Sequence, residues 1–484
     1  MSFSSLLFIF AFLPAFFAIY YVTPARLKNA VALVASCFFY SWGAPEALGM
    51  LAVGLVVDYV LANAIHRLEP ASEAAVRRRK LLLAVSIAIN VGALLYYKYT
   101  NFAVAQVNTI ARWFGIAELR WAEVVLPIGI SFFTFHKISY VVDVYRKTSP
   151  PAKDFVTFAL YVLFFPQLIA GPIIRYHDVA DALRSRKHTL ESIAHGAFRF
   201  CIGLGKKALL ANQLAITADL VFAQQPNSLS SFNTFLGALC YAFQIYLDFS
   251  GYSDMALGLG HMLGIRFKEN FDCPYRSTSI TEFWRRWHIS LSSWMKEYLY
   301  VPLGGNRVSP ARTNLNLWIV FLVSGLWHGA NWTFVAWGAY HGTFLVLEKR
   351  CAGGWLARLP RALSATWTFL VVLAGWVLFR ADSIEHAGRV LARMLALSPY
   401  RFDKSTLVTA ELISNRGALA LALAMLISFA PLTSWGERIS RSYEAPETTV
   451  SSANLRYVSA LLCLVLSCAT LANSSYNPFI YFRF

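Results

Sequence analysis

A histidine within an apolar stretch is the residue of this chain best suited to chemistry. The segment from Phe321 to Gly342 reads F-L-V-S-G-L-W-H-G-A-N-W-T-F-V-A-W-G-A-Y-H-G and contains His328. An ionisable side chain inside a membrane is costly unless it has a partner or a function. Burial also disfavours the charged imidazolium, so the neutral ring stays able to accept a proton. His328 is therefore a candidate general base.

A second histidine lies upstream, in an aromatic and basic segment that runs from Thr281 to Arg307. Helical spacing predicts that one face of an interfacial helix carries Trp284, Trp287, His288, Leu291 and Trp294 or Tyr298. A short helical hairpin could bring His288 close to His328. Two histidines at membrane depth, with carboxylates nearby, suit the removal of a proton from a hydroxyl group.

Carboxylates interrupt a third apolar stretch, Q-I-Y-L-D-F-S-G-Y-S-D-M, which is predicted to be a spanning helix. Asp248 and Asp254 there need water, charged partners or protonation. They either support helix packing or take part in the site. The polar groups predicted to support a cavity around the histidines are Gln244, Asp248, Tyr252, Asp254, Trp327 and Asn331.

Each of the remaining candidates has a structural alternative. His341 follows His328 on the same segment without a supporting pattern, and packing is the favoured interpretation of its role. Arg285 and Arg286 either anchor their helix to lipid headgroups by snorkelling or bind the phosphates of an acyl donor.

Composition places these residues in a membrane protein. The chain has 484 residues, of which 57% are hydrophobic and 14% charged, and its mean hydropathy is strongly positive. These values exclude an ordinary soluble globule and predict an all-α polytopic protein with about ten or eleven spans. The apolar runs lie at roughly 5–22, 28–42, 47–65, 81–98, 155–170, 193–222, 230–264, 313–347, 363–380, 417–432 and 455–473.

Two segments are too interrupted to span. Leu126 to Phe135 and Ser279 to Tyr300 are predicted to be re-entrant or interfacial helices, which implies an internal cavity because non-helical backbone at membrane depth needs one. Residues 382–398 are predicted to form an amphipathic interfacial helix with Asp382 and Glu385 as a capping pair. Since no soluble part can be separated, we expect one integral domain over residues 1–484.

The net charge of +17 does not indicate nucleic-acid binding, because the cations lie in short connectors between apolar runs. The first and third connectors are basic and the second is not, which predicts that the N-terminus lies outside. The first apolar stretch lacks the pattern of a cleaved signal peptide. The seven cysteines show no metal-ligand spacing, so we expect neither a disulfide framework nor a metal site.

Longer strings support a family resemblance. They include the N-terminal M-S-F-S-S-L-L-F-I-F with F-Y-S-W-G, then F-F-P-Q-L-I-A-G-P-I-I-R, Q-I-Y-L-D-F-S-G-Y-S-D-M-A-L-G, E-N-F-D-C-P-Y-R-S-T-S-I-T-E-F-W-R-R-W-H-I-S-L-S, Y-L-Y-V-P-L-G-G-N-R, W-H-G-A-N-W and W-V-L-F-R-A-D-S. With them the chain resembles the membrane-bound O-acyltransferase (MBOAT) family, in particular its bacterial alginate O-acetyltransferase-like branch. The motifs cover residues 1–383, whereas residues 384–484 are less diagnostic. The resemblance implies a ring of helices around a central funnel, with His328 as the catalytic residue and His288 as its polar partner.

The function implied is transfer of an acetyl group from a cytoplasmic thioester donor, acetyl-CoA, toward hydroxyls of an exported polysaccharide. Transfer is expected either directly or through a periplasmic acetyltransferase partner, in the inner membrane of a bacterium and without a bound cofactor. Asn331 or Tyr252 would bind a developing oxyanion. The alternatives are transfer of another acyl group, such as D-alanine to teichoic acid, and non-catalytic transport of an acyl donor or polyprenyl substrate.

Overall fold

The structure, a computed structural model, describes residues 1–352, 356–400, 408–434, 436–438, 450–474 and 476–480. The regular elements of this described part are all helices, which confirms the all-α prediction. The chain divides into two compact units, Met1–Ala197 with Ala256–Lys268, and Phe198–Met255 with Glu269–Phe484. A single integral-membrane domain over residues 1–484 stays a prediction.

The first unit contains the N-terminal helices. They are α1 (Leu13–Val22), α2 (Lys28–Ser41), α3 (Ala47–Arg67), α4 (Glu73–Trp113), α5 (Ile130–Arg146), α6 (Phe155–Leu163), α7 (Phe165–Leu168) and α8 (Tyr176–Arg184). A polar cluster is buried among α3, α4 and α5. The Asp58 carboxylate there accepts hydrogen bonds from Ser86 and Asn90 and lies 3.5 Å from the Lys137 ammonium nitrogen. Three helices are thus tied together by one buried acidic group.

The second unit contains the two histidine segments. From α9 to the last described helix, the elements are α9 (Leu190–Gly205), α10 (Asn212–Ala223), α11 (Ser231–Met262), α12 (Ile280–Arg286), α13 (Ile289–Met295), α14 (Pro310–His328), α15 (Trp332–Leu347), α16 (Arg361–Arg380), α17 (Ile384–Met394), α18 (Thr409–Leu412), α19 (Asn415–Phe429) and α20 (Val450–Asn473). Helices α9 and α11 belong to both units, because the unit boundaries fall within them.

Five described helices are long and apolar enough to cross a membrane. They are Ala47–Arg67, Glu73–Trp113, Arg361–Arg380, Asn415–Leu432 and Asn454–Asn473. Each corresponds to one of the apolar runs of the sequence. The other runs form shorter, interrupted or more polar helices, so the total of ten or eleven spans stays a prediction. Helix α4 has 41 residues and is therefore about 60 Å long, roughly twice the thickness of the hydrocarbon core of a bilayer.

The predicted break near Gly129 and the predicted amphipathic helix at 382–398 are both present, but each differs in detail from the prediction. The chain turns at Gly129, which has a φ of 78°, and continues as the almost completely buried 17-residue helix α5 rather than as a short interfacial helix. Helix α17 is present, but its N-cap is Ser383, whose side chain accepts from the backbone N–H of His386. The predicted capping role of Asp382 is therefore wrong by one position.

Candidate active site

His328 is the last residue of α14, and the sequence explains why the helix ends there. Gly329 adopts an extended conformation, and Asn331 begins α15 by accepting from the N–H of Thr333. The apolar run at 313–347 therefore contains a hairpin of two helices. A Cβ on Gly325 would lie 2.2 Å from the backbone oxygen of Phe334. This glycine lets the helices approach closely enough to fix the position of His328.

Aromatic rings surround the His328 imidazole. Ring centroids lie 5.0 Å away for Trp327, 5.3 Å for Trp337 and 5.1 Å for Phe379. The side chain is only 7% exposed. It borders a small cavity of about 10 Å³, here called the histidine cavity, whose wall includes Ile245, Phe249, Trp287, Trp376 and Ile480. An imidazole in such an apolar enclosure is favoured in its neutral form, as a general base requires.

His288 lies at a sharp break rather than on a continuous helix. Helix α12 ends at Arg286 and α13 begins at Ile289, so the single face predicted from Trp284 to Tyr298 is wrong. His288 has a φ of 45°, which is unfavourable for a residue with a Cβ. Strain of this kind persists only where neighbouring contacts hold it and is common at functional sites.

Asn270 supplies those contacts. Its backbone oxygen accepts from the N–H of Ile289 at 2.9 Å, and its Oδ1 accepts from the N–H of Ser290 at 3.1 Å. A backbone N–H can only donate, so the amide atom facing Ser290 must be the oxygen. The same oxygen lies 3.1 Å from Nδ1 of His288, so that nitrogen must carry the proton. The neutral ring therefore keeps its lone pair on Nε2.

Nε2 of His288 has no hydrogen-bond partner among the described residues. The ring packs edge-on against Phe249, with centroids 4.6 Å apart, and its centroid is 6.2 Å from that of Trp327. Trp327 also adjoins the His328 ring. The structure thus places both predicted histidines against one tryptophan. Because no described residue donates a hydrogen bond to Nε2 of His288, this nitrogen can accept one from a substrate.

The carboxylates of α11 have cationic partners that sequence reasoning did not name. Asp254 accepts from Arg199 at 2.8 Å and from Lys206 at 2.6 Å. The Asp248 carboxylate lies 2.7 Å from the ammonium nitrogen of Lys207. All three cations lie within the apolar run at 193–222. Their spacing inside an otherwise apolar run was the signal that they need buried partners.

Three other predicted residues have varied surroundings. Tyr252 is buried and stacks on Phe479 with a centroid distance of 4.7 Å. Gln244 is also buried, and its Oε1 has no hydrogen-bond partner in the described part of the chain. Asn331 uses its oxygen as the cap of α15 and donates its amide to the backbone oxygen of Asp382. Both ends of the Asn331 side chain therefore have structural partners, and its role in binding an oxyanion stays a prediction.

Comparison with known proteins identifies the family. The model of the membrane-bound O-acyltransferase family matches residues 152–372. A probable alginate O-acetylase of Azotobacter vinelandii is 41% identical over the whole of both chains. The corresponding protein of Pseudomonas aeruginosa is 43% identical over 89% of this chain and 81% of its own. A peptidoglycan O-acetyltransferase of Helicobacter pylori is 37% identical over 82% of this chain and 80% of its own.

The chain belongs to the membrane-bound O-acyltransferase family. It is a multi-pass membrane protein with O-acyltransferase activity, and the resemblance inferred from its motifs is confirmed. The family match covers His288, His328 and the α14–α15 hairpin. The roles of individual site residues stay predictions.

Two arginines of this acyltransferase differ in their availability to a donor. Arg286 forms ion pairs with Asp272 and Glu282, so its charge is already compensated. Arg285 is exposed. Of the two predicted phosphate contacts, Arg285 is the one whose side chain faces solvent or headgroups.

His341 lies behind Trp337, away from the histidine cavity. It is fully buried, with its ring centroid 5.0 Å from Trp284 and 5.1 Å from Trp337. A Cβ on Gly375 would lie 2.6 Å from its Nε2, so α16 packs directly on the ring. These contacts are those of a packing residue.

Proposed function

We propose that this protein transfers an acetyl group from acetyl-CoA, at the cytoplasmic side of a bacterial inner membrane, to hydroxyl groups of an exported polysaccharide. The observation that carries the proposal is the placement of His328 at the wall of an aromatic cavity, in a chain similar over its full length to a probable alginate O-acetylase. The similarity to a peptidoglycan O-acetyltransferase supports the proposed reaction type, O-acetylation of a polysaccharide, without fixing which polymer is the acceptor.

The chemistry requires one base and a polarised carbonyl. Nε2 or Nδ1 of neutral His328 takes the proton of the acceptor hydroxyl as its oxygen attacks the thioester carbon. The C–S bond then breaks, and the imidazolium returns the proton to the departing thiolate. This sequence forms an ester and a free thiol and leaves the histidine unchanged. Buried Tyr252 is a proposed donor to the developing oxyanion.

The tautomer of His288 determines which substrate group it can orient. With the proton on Nδ1, Nε2 can accept a hydrogen bond but cannot donate one. A carbonyl oxygen offers no proton, whereas an acceptor hydroxyl does. Because His328 takes the proton of the reacting hydroxyl, His288 is suited to accept a hydrogen bond from a neighbouring hydroxyl of the acceptor and so to orient it, rather than to bind the donor carbonyl.

The acceptor is either the polysaccharide or a hydroxyl on a periplasmic acetyltransferase partner. The basic first and third connectors support an orientation with the N-terminus outside, so that the donor is bound from the cytoplasm and the product is released on the other side. The proposed interaction partners are the polysaccharide, a periplasmic acetyltransferase and membrane lipid.

The test uses purified protein in proteoliposomes with acetyl-CoA labelled in the acetyl group. Transfer of label to polymer, only when polymer or an acetyltransferase partner is supplied, is the expected result. Release of the product acyl group with mild base then distinguishes acetate from D-alanine. Passage of intact labelled donor across the bilayer without thiol release would contradict catalysis and support transport.

A further inference from the structure

The last described residue of the chain, Ile480, lines the histidine cavity. Ile480 is 2% exposed, and its side chain forms part of the same cavity wall as His328. It lies beyond α20 and directly follows the non-helical residues 476–479. A wall residue at this position limits the room beside the predicted base.

A buried ion pair holds the backbone of this segment. The Asp248 carboxylate on α11 accepts from the N–H of Ile480 at 2.9 Å through one oxygen and contacts the Lys207 ammonium at 2.7 Å through the other. Lys207 in turn donates to the backbone oxygen of Pro478 and to Oδ1 of Asn212, the latter at 2.9 Å. Besides contacting each other, Asp248 and Lys207 therefore hydrogen-bond to the backbone of residues 478–480, and Lys207 also bonds to Asn212.

Side chains fix the same segment from either side. The amide of Asn212 donates to Oδ1 of Asn477 at 3.1 Å. The Phe479 ring stacks on Tyr252 and lies 6.0 Å from the Lys207 ammonium. Asn212, Lys207 and Tyr252 thus contact the three consecutive positions before Ile480 and hold that residue at the cavity.

Stability alone does not explain this ion pair. Lys207 is 2% exposed and Asp248 1% exposed, and removing two such charges from water costs about as much as their attraction returns. Hydrogen bonds to backbone groups, by contrast, fix the position of a segment whatever its side chains are. The pair is placed to define the position of the chain end.

We propose that Lys207 and Asp248 are positioning residues that hold Asn477–Ile480 as a fixed wall of the histidine cavity, so that Ile480 limits the size of the transferred acyl group. This inference rests on the proposed acyl transfer. It assigns the ion pair and the chain end a role in acyl selectivity, apart from the proton transfer at His328.

The first test is the ratio of propionyl to acetyl transfer, which does not depend on the fraction of folded protein. Ile480→Ala removes three carbons from the wall, and since pocket contacts of about one methylene discriminate roughly tenfold or more, the ratio is expected to rise about tenfold. The double variant Lys207→Met/Asp248→Leu releases the segment and is expected to raise the ratio in the same direction. The matched control is Lys137→Met/Asp58→Leu, which removes a buried ion pair of the first unit and is expected to leave the ratio unchanged.

The second test needs no turnover. A thiol introduced by Ile480→Cys is treated with a maleimide reagent, and modification at that position is measured by peptide mass spectrometry. It is expected to be protected in the otherwise unchanged protein and in the Lys137→Met/Asp58→Leu background. It is expected to become modified in the Lys207→Met/Asp248→Leu background.

The two tests separate the inference from the proposed function. An unchanged propionyl-to-acetyl ratio in both Ile480→Ala and Lys207→Met/Asp248→Leu, or a thiol that stays protected without the ion pair, would overturn the inference even if acetyl transfer is confirmed. Absence of any acyl transfer by the unmodified protein would overturn the proposed function and with it the assigned role in selectivity. The labelling result would then still decide whether the ion pair positions the chain end.

Discussion

Replacing Asn270 with alanine should slow acyl transfer by acting on His288. Asn270 does not line the histidine cavity, but its Oδ1 is the atom that places the proton of His288 on Nδ1. Without that oxygen, the ring is free to take the other tautomer or to rotate. Nε2 would then no longer present its lone pair to an acceptor hydroxyl.

The size of the effect follows from the bonds that are lost. A net hydrogen bond contributes about 1 kcal/mol and a buried donor without an acceptor costs about 1–3 kcal/mol, so turnover should fall by between about fivefold and 150-fold. Asn270→Asp keeps an oxygen that accepts from both His288 and Ser290. It should therefore retain most of the activity that Asn270→Ala loses.

The assay is a double-mutant cycle on initial rates of acetyl transfer, with the amount of folded protein measured for each variant. His288→Ala alone should lower the rate by about 10²-fold, because the acceptor would no longer be held in the geometry for attack. Adding Asn270→Ala to that variant should change the rate by less than about twofold, because residues that act through one another are not additive. Equal factors for Asn270→Ala with and without His288 would refute the reasoning.

Three further predictions concern packing and binding. Gly325→Val should lower the yield of folded protein because its side chain would collide with the backbone of α15, whereas Gly92→Ala, with no atom within 4 Å of the new Cβ, should leave detergent melting unchanged or slightly raised. Asp58→Leu should destabilise the protein by about 3–5 kcal/mol because it leaves Lys137 buried without its carboxylate, and adding Lys137→Met should recover most of that loss; a double variant as unstable as the single one in thermal melting would contradict this. Arg285→Ala should raise the KM for acetyl-CoA several-fold with little change in kcat, and an unchanged KM would show that this arginine only contacts headgroups.

The positions of the long apolar helices could be predicted from hydropathy, because a helix that faces lipid needs a long run of apolar side chains. The five apolar helices long enough to span correspond to predicted runs. The end of α14 was harder to place, because a run that reads as continuously apolar contains Gly329 and the capping Asn331. The helix ends at His328 because of these two residues, although the hydropathy of the whole segment would allow one continuous helix.

The site was predicted in part for a similar reason. His288 and His328 could be singled out because an isolated titratable side chain among tryptophans is unusual. Asn270 could not, since a single asparagine carries no periodic signal and its importance depends on a turn formed 18 residues later. The contact of Asp248 with Ile480 joins residues 232 positions apart, and pairing of that kind has no local pattern in the sequence.

The most direct measurement of the central claim is the rate of acetyl transfer by His328→Ala in proteoliposomes. The comparison is with unmodified protein and with His66→Ala, which replaces an exposed histidine of α3. His328→Ala is predicted to insert in the membrane normally and to lose activity by at least about 10²-fold, whereas His66→Ala should retain it. Acetyl transfer at the unmodified rate by well-inserted His328→Ala protein would contradict the assignment of His328 as the base.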